Sequence, residues 1–75
     1  MDDKMIIKNA LTVRNYSQAF LAEKVGYAGQ GGISRVLSSK NSMRLDTFVK
    51  LLNAMDFEVV VRSKTKSGEE WKVEM

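Results

Sequence analysis

A chain of 75 residues holds one small domain, and a core of that size is marginal without help. It contains neither cysteine nor histidine, which removes disulfide staples, the usual zinc ligand sets and nucleophilic chemistry at those side chains, and leaves association as the extra source of stability. The net charge is +3 and unevenly placed, with eight basic against five acidic side chains through residue 56 and four against four beyond it. That excess fits a polyanionic partner, and it fits an ordinary solvated face as well.

Ile6, Ile7, Ala10 and Val13 recur at helical spacing, so the first helix is predicted over roughly residues 3–14. Asn15 tolerates the left-handed conformation that ends many helices, and Ser17 is a good N-cap for the next one. Gln18 to Val25 forms a short second helix with Leu21, Ala22 and Val25 on one face, stopped by Gly26. Four of the five glycines fall between Gly26 and Gly32, which marks a turn, or a turn running into a weakly started helix. Ile33, Val36 and Leu37 restore helical spacing, and the polar stretch from Ser38 to Arg44 reads as a loop.

Leu45, Phe48, Leu51, Leu52 and Met55 carry the clearest helical rhythm and define a fourth helix. After Asp56 the period changes to two. Phe57, Val59 and Val61 alternate with Glu58, Val60 and Arg62, a turn spans Thr65 to Gly68, and Trp71, Val73 and Met75 alternate again. This is a β-hairpin with Gly68 placed to take a positive φ. The expected fold class is mainly α, four helices followed by a C-terminal β-hairpin, with residues 1–56 as the helical domain and 57–75 as an extension. Leu21, Ala22, Val25, Ile33, Leu37, Leu45, Phe48, Leu51 and Leu52 are the expected core. Tyr16 and Tyr27 are open between packing and a surface role, and Trp71 is expected to be a packing anchor.

Two short helices joined by a glycine-containing turn suggest a helix-turn-helix unit between Ser17 and Leu37. The run Ser17-Gln18-Ala19-Phe20-Leu21-Ala22-Glu23-Lys24-Val25-Gly26, then Ile33-Ser34-Arg35-Val36-Leu37, then Leu45-Asp46-Thr47-Phe48-Val49-Lys50-Leu51, resembles the Cro/cI-type (XRE) helix-turn-helix family. The resemblance covers roughly residues 6–56. It implies a lambda-repressor-like core in which a recognition helix around residues 30–38 enters the major groove of DNA. The chain departs from the family between Gly26 and Ile33, where it is one residue longer. Gly31 and Gly32 stand where the family often places base-reading side chains.

The expected DNA-binding residues are Gln18, Gln30, Gly31, Gly32, Ser34, Arg35, Ser38, Lys40, Asn41 and Arg44. Gln18 opens the second helix, where a phosphate can meet free backbone amides. Gln30 can pair with adenine and Arg35 with guanine, the alternative for Arg35 being a surface ion pair. Ser38, Ser39, Lys40, Asn41 and Arg44 form a polar, basic loop suited to phosphate, or an ordinary solvated one.

The hairpin offers Phe57, Val59, Val61, Trp71 and Val73 as a dimerisation surface, the alternative being that it folds back on its own helices. The expectation is a homodimeric transcriptional regulator, a repressor, on a palindromic duplex site. The alternative is the antitoxin of a toxin–antitoxin pair, holding a toxin by strand addition. No enzyme is expected, since Glu69 and Glu70 sit near a turn where they are solvated, and no cofactor or metal is expected. Met1-Asp2-Asp3-Lys4 lacks the basic start of a secretory signal, and no apolar run is long enough for a bilayer, so the expected setting is cytoplasmic.

Overall fold

The computed structural model describes residues 2–27 and 31–74. Its elements are α1 (Asp3–Arg14), α2 (Gln18–Val25), α3 (Gly31–Ser38), α4 (Leu45–Ala54), β1 (Val59–Arg62) and β2 (Glu70–Val73). The fold is therefore mainly helical, with a two-stranded antiparallel sheet at its C-terminal end.

Local chemistry sets the helix boundaries. The Asp2 carboxylate caps α1 by accepting from the Met5 amide at 2.9 Å, and the Ser17 hydroxyl caps α2 by accepting from Phe20 at 3.0 Å. Three helix ends close in the same way. Asn15, Gly26 and Asp56 take φ of 58°, 82° and 62° after α1, α2 and α4. In each case the next residue's amide reaches back to the carbonyl five positions earlier: Tyr16 to Leu11, Tyr27 to Ala22 and Phe57 to Leu52, each at 2.9 Å. These are Schellman closures, which satisfy carbonyls that the helix leaves open. All three reaching residues are aromatic, and all three pack their rings against the core.

The core consists of Ile7, Ala10 and Leu11 of α1, Leu21 and Ala22 of α2, Ile33 and Leu37 of α3, and Leu51, Leu52 and Met55 in and after α4. Leu45 does not belong to it: the side chain is 56% exposed, because it starts α4 ahead of the buried turns. Val13 is likewise on the surface, and its place on α1 is taken by Leu11. Val25 and Phe48 are half-buried at the margin, and Val49 is buried. Tyr16 and Tyr27 are packing residues.

Helix α1 ties down both ends of α4. At its start, the Asp3 carboxylate accepts from the Met43 amide at 2.6 Å, just before α4. At its end, Arg14 donates to the carbonyls of Met55 at 2.8 Å and Asp56 at 3.2 Å, just after α4. The two helices therefore run in the same direction.

The hairpin pairs Val59 with Val73, Val60 with Lys72, Val61 with Trp71 and Arg62 with Glu70. Gly68 in its turn has φ of 80°, as predicted. Phe57 and Val59 pack against the helical core, whereas Val61 and Trp71 are 53% and 64% exposed. Trp71 is thus not an anchor for its own core. The inner end of the hairpin folds onto the helices and the outer end leaves them, in a molecule measuring 43 × 25 × 22 Å.

Candidate nucleic-acid interface

Helix α3 is divided cleanly by burial. Ile33 and Leu37, four residues apart, are buried, while Ser34, Arg35 and Ser38 are exposed on the opposite side. Ser38 Oγ donates to the Arg35 carbonyl at 3.3 Å and closes the last turn. Among the described residues, the Arg35 guanidinium has no ion pair and no hydrogen bond, so the surface ion pair that the sequence left open for it is not formed there. Its donors remain available to a planar acceptor.

The start of α3 is shaped by packing. A Cβ on Gly32 would lie 3.1 Å from Cδ2 of Tyr27, closer than ordinary contact. Lys50 of α4 covers the same ring at 5.5 Å from its centre. Gly32 thus has a reason in the fold, namely the close approach of the Tyr27 ring that links α2 to α3. Gly31 opens α3 beside it. Gln30 lies outside the described residues.

The loop from Ser39 to Arg44 is exposed but held. Lys4 of α1 donates to the carbonyls of Ser39 and Asn41, the latter at 2.8 Å, and Asp3 holds Met43. The Met43 amide, with smaller help from Lys4, keeps the Asp3 carboxyl below its ordinary pKa. Ser39 Oγ accepts from the Asn41 amide at 3.2 Å, which sets the turn. Lys40 projects from this fixed loop, exposed, with no ion pair among the described residues. Arg44 pairs with Asp46 at 3.3 Å, both well exposed. Such a pair contributes little and exchanges readily for another anion. Val36, Asn41, Arg44 and Thr47 border a shallow hollow of about 190 Å³ between α3, the loop and α4.

Ser34, Arg35 and Ser38 are exposed on α3, and Lys40, Asn41 and Arg44 are exposed on the segment that follows it. Gln18 stands apart as the first, half-buried residue of α2, and no hydrogen bond or ion pair joins it to them among the described residues. The roles of Asp3 and Lys4 are invisible to sequence reasoning, because their partners lie about 40 positions away. Among the described residues there is no group of acidic side chains that would hold a metal, and no helix is long and apolar enough to cross a membrane.

No family model, no curated protein and no solved structure matches this chain.

Proposed function

We propose that this protein is a sequence-specific, double-stranded DNA-binding regulator of transcription, acting as a homodimer and as a repressor in the cytoplasm. In this reading α2 and α3 are the helix-turn-helix and α3 is the element that enters the major groove. The observation that carries it is the exposed Arg35 on the polar side of α3, unpaired among the described residues, flanked by Ser34 and Ser38 and followed by Lys40 on a loop tethered to α1.

The division of labour follows from the chemistry. Arg35 presents a planar fork of donors that matches O6 and N7 of guanine, and one such contact is worth about 1–3 kcal/mol in discrimination. Ser34 is adjacent to it and suits either a base edge or a sugar–phosphate oxygen. Lys40 and Asn41 offer donors to the backbone phosphates, contacts that set register without reading sequence. Gln18, at the start of α2, is placed beside helix-terminal amides that favour a phosphate.

Selection of duplexes from a random pool by the purified protein, followed by salt titration of the winner, tests the proposal. A defined motif is expected. Arg35→Ala should lose preference for it, whereas Lys40→Ala should weaken all duplexes alike and lower the salt slope by about one. If no motif emerges and neither change alters duplex affinity, the proposal falls.

A further inference from the structure

Three large apolar side chains of the hairpin, Val60, Val61 and Trp71, are 39%, 53% and 64% exposed. The hairpin register explains what they are for. The Ser63 amide donates to the Glu69 carbonyl at 3.0 Å, which makes that pair, and every second pair inward from it, a hydrogen-bonded one. Val61 and Val59 therefore spend their backbone groups on β2. Glu58, Val60 and Arg62 direct theirs outward along the open edge of β1.

We propose that this edge pairs, antiparallel and about a two-fold axis, with the same edge of a second copy, with Val60 opposite Val60. The inference deepens the homodimer reading given above and rests on it. In that register Glu58 of each copy lies opposite Arg62 of the other, so both ends of the joined strands carry opposite charges. On the other face Val59 lies opposite Val61 of the second copy. Each row across the four-stranded sheet then reads Val73, Val59, Val61, Trp71, with the last two from the second copy. The two exposed residues at the outer end of each hairpin thereby join the partner's Val59, which packs on its core, and its half-buried Val73, and Val60 meets its own copy on the axis.

The competing edges fit less well. Shifting β1 by two residues sets Val60 against Arg62. Pairing through β2 sets Glu70 opposite Lys72 and Trp71 opposite itself, but it leaves Val60 in water. In the β1 register Glu58, which already faces Lys72 of its own hairpin at 3.8 Å, stands between two cations.

Because the chain has no cysteine, single introduced thiols report the pairing directly. Opposed residues in a hydrogen-bonded pair stand about 5.5 Å apart at Cα, within disulfide range. Val60→Cys should oxidise to a covalent dimer, while Trp71→Cys stays mostly monomeric on a non-reducing gel. In sedimentation without DNA, Glu58→Arg and Arg62→Glu should each weaken the dimer at least tenfold, and the two together should restore it. Cross-linking through Trp71→Cys and not Val60→Cys, or a wild-type chain that stays monomeric at all concentrations, overturns the proposal. Since no DNA is present, a dimer of this form in a protein that binds no duplex leaves the strand pairing standing and removes only the DNA reading.

Discussion

The guanidinium of Arg14 lies 4.2 Å from the centre of the Phe57 ring. The same side chain hydrogen-bonds the carbonyls of Met55 and Asp56, so one residue at the end of α1 fixes the end of α4 and the entry to the hairpin. The contact has two counterparts. Lys24 stands 5.7 Å over Tyr16, and Lys50 stands 5.5 Å over Tyr27. Each of the three aromatics that close a helix thus carries a cation on its ring. Arg14 differs because it also hydrogen-bonds carbonyls 41 and 42 residues along the chain, and these belong to a helix end.

Arg14→Met keeps an apolar stem over Phe57 and removes the charged donors. A loss of about 1–2 kcal/mol is expected, the size of hydrogen bonds from a charged group plus an exposed cation–π contact. Arg14→Lys should recover only part of it, because an ammonium cannot lie flat on the ring and meet two carbonyls at once. Urea unfolding of the three proteins measures this. Equal stability of Arg14→Met and wild type would show that the clamp contributes nothing.

Asp3 gives the fold an acid-sensitive point. The Met43 amide favours its charged form and lowers its pKa below the ordinary aspartate value of 3.8. A carboxyl depressed in the folded state contributes stability that is complete above its unfolded pKa and is lost as pH falls through the folded one. The loop from Ser39 to Arg44 should therefore loosen below about pH 4, by that linkage. Amide resonances of Met43 followed by NMR during acid titration report it. In Asp3→Asn, the Met43 shift should lose this titration step.

The left-handed positions 15, 26 and 56 respond to substitution by residue type. Gly26 has φ of 82° with open space around a would-be Cβ, so Gly26→Ala tests backbone strain alone. It should cost about 1–2 kcal/mol. Asp56→Gly, at φ of 62°, should be neutral or gain a few tenths of a kcal/mol, since glycine accepts that conformation freely but loses more entropy on folding. Thermal unfolding distinguishes the two. A Gly26→Ala protein as stable as wild type would contradict the closure described for α2.

These positions also mark how far the sequence could be read. Asn15, Ser17, Gly26 and Gly68 announce their roles because capping and turn chemistry act over four or five residues. The helix limits and the hairpin followed from them. Asp56 was not legible, since asparagine and glycine are the usual occupants of that conformation. Periodicity identified a face of α4 but not where burial along it begins, and so Leu45 read as core. Trp71 read as an anchor because composition cannot say how far a hairpin reaches past its helices. Of the candidate interface, the exposed side of α3 followed from Ile33 and Leu37. The loop's tethers to Asp3 and Lys4 did not, because no local pattern encodes a contact between the first helix and the approach to the fourth. The helix-turn-helix reading itself rests on the motifs and on Arg35, and the duplex selection decides it.

Asp46 is an acidic residue beside the proposed DNA-facing surface, paired with Arg44. Asp46→Asn should raise affinity for all duplexes severalfold at low salt, by freeing Arg44 and removing a charge that repels phosphate. The same change should reduce stability by a few tenths of a kcal/mol, because an acidic side chain in the first turn of α4 favours the helix. Binding isotherms at two salt concentrations, with unfolding curves alongside, separate these effects. Unchanged affinity would place Arg44 and Asp46 outside the interface.

Gly32 and Tyr27 can be resolved as a coupled pair. With the ring in place, a methyl at position 32 sits 3.1 Å from Cδ2, so either the ring or the start of α3 must shift by a few tenths of an ångström. The ring is backed by Lys50 and packed on the core, and Gly32→Ala is expected to cost about 1 kcal/mol, typical of mild overpacking. In a Tyr27→Ala background the obstruction is gone. There the same change should become neutral or favourable, up to the roughly 1 kcal/mol by which alanine exceeds glycine in a helix. The reversal of sign is the test, read from the four proteins of a double-mutant cycle. If Gly32→Ala costs the same in both backgrounds, contact with Tyr27 is not what keeps position 32 bare. If the cycle shows the coupling, but Gly32→Ala in the Tyr27→Ala background still abolishes duplex binding, the glycine serves the groove as well as the ring.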